Sequence, residues 1–88
     1  MASYRIRIKH SAVKELESIG NRADRRRIVQ RIQSLADDPR PPGSQRLSGR
    51  DRYRLRQGRY RILYSKLLIV DPGDELFAQD VIQRILPN

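Results

Sequence analysis

Apolar and polar residues alternate at the start of the chain, with Tyr4, Ile6 and Ile8 set against Arg5, Arg7 and Lys9. That two-residue period predicts a half-buried first strand. The period then lengthens. Val13, Leu16 and Ile19 follow at helical spacing behind Ser11, a candidate N-cap, until Gly20 stops the helix. Asn21 is placed to cap a second helix, with Asp24 near its N-terminal dipole. Ile28, Ile32 and Leu35 form its apolar stripe, while Arg25, Arg26, Arg27 and Arg31 are distributed around it. Pro39 disfavours helix in the residue before it, so the chain should leave this helix near Asp37-Asp38.

A stiff loop over residues 39–44 leads to a short strand at Gln45 to Leu47 and a turn at Ser48-Gly49-Arg50-Asp51. Tyr53 to Gln57 and Tyr60 to Ser65 then read as a hairpin about Gly58-Arg59, where a leading glycine suits a type II′ turn. With that loop, Gln57 faces Tyr60, Arg56 faces Arg61, Leu55 faces Ile62 and Tyr53 faces Tyr64. Tyr53, Leu55, Ile62 and Tyr64 share one side. Arg54, Arg56 and Arg61 share the other, joined by Leu63. Two arginines directly opposite each other repel, and an anionic ligand bridging them reverses that sign.

The last quarter carries a different pattern. Leu67 to Val70 is a short apolar run, and Asp71-Pro72-Gly73-Asp74 is a turn signal. Beyond it Phe77, Val81 and Ile85 recur every fourth residue, with Ala78, Ile82 and Leu86 beside them, while strict alternation fails. This spacing predicts a helix from about Glu75 to Ile85, with Asp74 as its N-cap and Pro87 beyond its end.

Charge sharpens the picture around the hairpin. The 88 residues carry a net charge of +9, and 16 of the 19 basic residues are arginine. Between Arg46 and Arg61 seven arginines stand against one acid, Asp51, whereas residues 67–88 are net acidic. Arginine favours planar, two-pronged recognition of phosphate or carboxylate, so the expected partners are nucleic acid or an acidic protein. A chain of this length predicts one domain spanning 1–88. It has no cysteine, no apolar run near the roughly 20 residues of a membrane span, and no N-terminal signal-like apolar stretch. These features predict a cytoplasmic protein without membrane attachment. Nothing in the motifs suggests a metal site, a cofactor, a nucleophile triad or a phosphate-binding glycine loop.

The order strand, helix, helix, loop, arginine-rich hairpin resembles the RelE/ParE superfamily of type II toxin–antitoxin toxins, also called plasmid stabilisation proteins. The resemblance is carried by Tyr4-Arg5-Ile6, Ala12 to Ile19, Asp38-Pro39-Arg40-Pro41, Leu47-Ser48-Gly49 and, most specifically, Tyr53 to Tyr64. It covers roughly residues 3–65, and residues 66–88 diverge from it. It implies an α+β fold in which a small antiparallel sheet of three to four strands packs against an N-terminal helical hairpin, in the order β-α-α-β-β followed by a further strand or helix. It also implies a cognate antitoxin that wraps and neutralises the toxin, forming a hetero-oligomer. In the RelE branch the toxin acts on the ribosome and cuts mRNA without a metal, the 2′-hydroxyl attacking the adjacent phosphate. Carried over by position, the catalytic residues are Arg54, Arg56 and Arg61. Arg84 is a stand-in for the family's C-terminal arginine if its segment is a strand. The family's Gly-His-Arg-x-x-x-Tyr-like ending has no counterpart here.

Cleavage of this kind needs a base, an acid for the leaving oxygen, and cations on the developing phosphorane charge. Arginine suits the last role and not the first, because its guanidinium stays protonated. Arg54 and Arg56 therefore read as phosphate clamps more than bases. Arg46, Arg50, Arg52, Arg59 and Tyr60 are candidate nucleic-acid contacts, Tyr60 being placed either to stack on a base or to pack. His10, the one histidine, reads as a capping or surface residue at the strand-to-helix junction, and Tyr53 and Tyr64 read as core. Three functions fit: a RelE-like endoribonuclease acting on ribosome-bound mRNA, a ParE-like inhibitor of DNA gyrase, and a family member that binds antitoxin without catalysis.

Overall fold

A computed structural model describes residues 5–38, 40–47, 52–70 and 76–88. Its elements are β1 (Arg5–Ile8), α1 (His10–Glu17), α2 (Arg22–Ser34), β2 (Ser44–Leu47), β3 (Arg52–Gln57), β4 (Tyr60–Val70) and β5 (Leu76–Pro87). The strands form one sheet in the order β1-β5-β4-β3-β2. β1 runs parallel to β5 and the other pairs are antiparallel. The expected α+β arrangement of sheet and helical hairpin is present, with five strands rather than three or four, and with one parallel pair.

The difference lies in the C-terminal segment. Where a helix is expected from about Glu75 to Ile85, Leu76–Pro87 instead form the strand that separates β1 from β4. Asp74, its expected cap, lies outside the described residues. The physical reason is twofold. A helix there would leave β1 alone and one side of β4's backbone without partners, and unpaired strand edges are costly. A β-bulge adds to the helix-like spacing at its C-terminal end. Leu63 pairs with Arg84 and Tyr64 with Ile82, so Gln83 is an extra residue on β5. The insertion turns both Ile82 and Ile85 into the core, three positions apart, and both are buried.

The helices follow their local signals more closely. The Asn21 side chain accepts the Asp24 amide at 3.0 Å, as an N-cap should. α2 ends at Ser34, ahead of the expected Asp37-Asp38, and the amides of Asp37 and Asp38 fold back onto the Ser34 carbonyl at 3.1 Å. α1 starts one residue before Ser11, with Lys9 at the cap position and no side-chain capping bond. It ends at Glu17 rather than Gly20. Its start is set by the sheet: the Lys9 amide donates to the Ile82 carbonyl at 3.0 Å, which fixes where β1 gives way to helix.

Both helices cover the same side of the sheet, α1 against β5 and α2 against β3. Ala12, Ile28, Leu35, Leu55, Ile62 and Ile82 are almost fully buried between them. At one end of this core Tyr53 and Tyr64 stack with ring centres 5.5 Å apart. The Arg40 guanidinium lies 3.6 Å from the centre of the Tyr53 ring. Arg40→Ala is expected to lower unfolding free energy by about 1 kcal/mol, through the lost cation–π contact and the uncovered rings. Urea denaturation of the two proteins measures this difference.

Candidate nucleic-acid interface

The hairpin adopts the register expected from the two-residue loop, with Gln57 opposite Tyr60, Arg56 opposite Arg61, Leu55 opposite Ile62 and Tyr53 opposite Tyr64. Gly58 has a φ of +58°, the positive value that the first position of such a turn requires. The side of the sheet away from the helices therefore carries Arg52, Arg54 and Arg56 at two-residue steps along β3, about 7 Å apart. Arg61 stands across from Arg56 on β4. Arg54 donates to the Gln45 side-chain oxygen on β2. The two border an open cleft of about 330 Å³ with Gly43 and Arg56.

No carboxylate among the described residues pairs with Arg52, Arg54, Arg56 or Arg61. The Arg61 Nε is buried and has no hydrogen-bond partner. A buried donor without an acceptor carries a desolvation cost, and here it lies beside a second cation. An anion bridging the Arg56 and Arg61 guanidinium groups would reverse their mutual repulsion.

The structure divides the remaining candidates. Arg52 joins the arginine row. Arg59 is exposed in the hairpin turn, and its carbonyl accepts the Asn88 amide at 2.8 Å. Arg46 pairs with Tyr53, which puts it on the helix side of the sheet and away from the row. Tyr60 also leaves the set: it is half-buried against the core, on the side of Ile62. In both cases the two-residue period decides the side, and neighbours in sequence are not neighbours on a face. Arg50 lies outside the described residues. His10 is exposed in the first turn of α1, and Tyr53 and Tyr64 are core, as read.

Arg84 sits by register beside Leu63 on the arginine side, but its guanidinium is engaged elsewhere. It makes a two-pronged bond to Glu15 of α1, with Nε and Nη2 at 2.9–3.0 Å from the carboxylate oxygens. Glu15 also accepts the Ile85 amide at 3.2 Å, closing the stretch of β5 that extends beyond β1. Nothing in local sequence signals this bridge, which spans 69 residues. The Arg84 hydrogen bond chiefly holds the Glu15 carboxyl below the ordinary carboxylate range; burial opposes it, and the Ile85 amide and the Arg84 charge add to the lowering. A lowered folded-state value makes the stabilisation complete above the unfolded glutamate value. It is lost as pH falls through the folded one. Glu15→Gln is therefore expected to lower stability at pH 7, where the pairing with Arg84 is fully present, and to flatten the acid limb below about pH 4.5, read by thermal melts across pH.

Chemically, the arginine side offers guanidinium, amide, hydroxyl and aliphatic groups. It holds negative charge well and supplies no histidine, lysine or carboxylate among the described residues for proton transfer. It also presents two groups that sequence reasoning passed over, Gln45 and the Gln83–Ser65 pair. One glutamine on a short edge strand forms no pattern that marks it in the sequence.

Comparison with known proteins agrees with this architecture. No curated protein sequence matches significantly. The fold is similar to that in the RelBE2 toxin–antitoxin complex from Mycobacterium tuberculosis, at 21% identity and a TM-score of 0.69, covering 99% of this chain and 100% of that one. It is also similar to a free-state arginine-to-alanine double mutant of the Escherichia coli toxin RelE, at 20% identity and a TM-score of 0.67, covering 97% of this chain and 83% of that one. The family model for the ParE toxin of type II toxin–antitoxin systems matches residues 6–83, which includes most of β5. With that match spanning helical hairpin, arginine row and central strand alike, the chain belongs to the ParE toxin family of the RelE/ParE superfamily.

Proposed function

We propose that this toxin works in the cytoplasm through its arginine row on ribosome-bound mRNA, as a RelE-like, metal-independent endoribonuclease, and that a cognate antitoxin neutralises it. The observation that carries the reading is the Arg56–Arg61 pair, two cations held face to face with no described counter-ion. In the reaction the 2′-hydroxyl attacks the adjacent phosphorus, the new O–P bond forms, and the bond to the 5′-oxygen breaks. The proton of the 2′-hydroxyl ends on the leaving oxygen. Arg56 and Arg61 stabilise the extra charge of the phosphorane, an electrostatic role that guanidinium groups fill without changing protonation. Arg52 and Arg54 position the strand. Proton passage between the two oxygens falls to water and to ribosomal groups, because the arginine row has no side chain suited to it.

A second reading, ParE-like inhibition of DNA gyrase, is favoured by the family match over residues 6–83 and by the engagement of Arg84 with Glu15. Purified toxin added to ribosomes programmed with a defined mRNA separates the two. The first reading expects cleavage within the message on ribosomes, none of free mRNA, and undisturbed supercoiling by gyrase. Intact mRNA with arrested gyrase replaces it with the second.

A further inference from the structure

A small pocket lies beside the β-bulge, on the arginine side of the sheet. Its volume is about 160 Å³, and its lining among the described residues is Leu47, Arg52, Leu63, Tyr64, Gln83 and Arg84. That is well below the 300–1,000 Å³ of pockets for drug-sized ligands and suits one planar ring. Leu47 and Leu63 supply apolar surface, as a ring face requires. Gln83, the extra residue of the bulge, is oriented by a bond from its Nε2 to the Ser65 Oγ at 3.0 Å. That bond uses one amide hydrogen. The carbonyl oxygen and the second hydrogen have no other partner among the described residues. A glutamine fixed in this way presents an acceptor and a donor side by side, the pattern that reads a base edge. Arg52 connects the pocket to the phosphate row.

We propose that this pocket is a nucleobase subsite, in which Gln83 reads one unstacked base of a single-stranded RNA whose phosphates lie along Arg52, Arg54, Arg56 and Arg61. The inference rests on the RNA reading above and adds base selection to it. β-bulges re-aim side chains beside functional sites, and here the re-aimed group is the carboxamide. The phosphate row supplies affinity without sequence information, and the pocket supplies the discrimination.

Four short oligoribonucleotides, each of a single base, test this by direct binding to the purified toxin across a range of salt concentrations. The wild type is expected to prefer one or two of them by roughly tenfold. Gln83→Leu, which keeps the volume, is expected to remove the preference with the salt slope unchanged. Ser65→Ala, which frees the amide, is expected to reduce the preference by severalfold. It also serves as the check if Gln83→Leu fails to fold. Arg56→Ala is expected to weaken all four equally and lower the slope by about one. Equal binding of all four by the wild type, or an undiminished preference in Gln83→Leu, overturns the proposal. Because the assay contains no ribosome, a preference that depends on Gln83 stands even where the cleavage assay finds no nuclease. Cleavage that takes place without such a preference removes the subsite alone.

Discussion

Arg61→Ala will weaken binding of single-stranded RNA by about tenfold or more at low salt, and the plot of log affinity against log salt will lose about one unit of slope. The distinguishing part of the expectation is that the fold will not suffer. Arg61 sits opposite Arg56, and its buried Nε lacks a partner. Removing it relieves a like-charge repulsion and an unsatisfied donor together. An unfolding midpoint equal to or above wild type, alongside weakened binding, is the signature of a residue kept for a ligand. A fall in stability with unchanged RNA affinity would make Arg61 a structural strand residue and remove the basis of the proposed function.

Ile82→Ala carries the largest expected effect on stability, about 3 kcal/mol within the 2–5 kcal/mol range for such truncations. Ile82 has no solvent exposure and lies on an interior strand of the sheet, paired with Ile8 on one side and Tyr64 on the other. In a domain of this size that loss corresponds to a drop of more than about 10 °C in melting temperature, measurable by circular dichroism. The same substitution at Val81 reports on the assignment of β5. Val81 has the opposite parity, lies outside the main cluster and pairs with Arg7 and Ser65. A helix over these residues would place positions 81, 82 and 85 on one face and make the two costs similar. The strand expects Ile82→Ala to cost clearly more.

Most of what local sequence predicts about this protein concerns contacts between near neighbours. A two-residue loop fixes the hairpin register, because only one pairing puts Tyr53, Leu55, Ile62 and Tyr64 on one side. Asn21 and Asp24 start α2 through a bond within one turn. The arginine row followed directly from these, since register and period place side chains without knowledge of the rest of the chain. Boundaries were less secure where the sheet sets them, as at Lys9, whose amide answers to Ile82 rather than to its own helix.

Distant pairing is what the residues do not announce. β5 is a strand because β1 and β4 offer it two sides to bond. Its periodicity was a poor guide because one inserted residue at Gln83 shifts every inward position after it. The small pocket beside the row lies at the same insertion, and the long-range bond to Glu15 draws the Arg84 guanidinium away from the row. Arg46 and Tyr60, adjacent in sequence to the cationic stretch, fall on the helix side through register alone. From its residues alone the chain yields a helical hairpin, a β-hairpin and a row of cations. Strand β5, and with it the division between the arginine row and Arg84, which Glu15 holds, depends on hydrogen bonds closed across most of the chain's length. No local pattern encodes those bonds, because their energy exists only once both partners are in place.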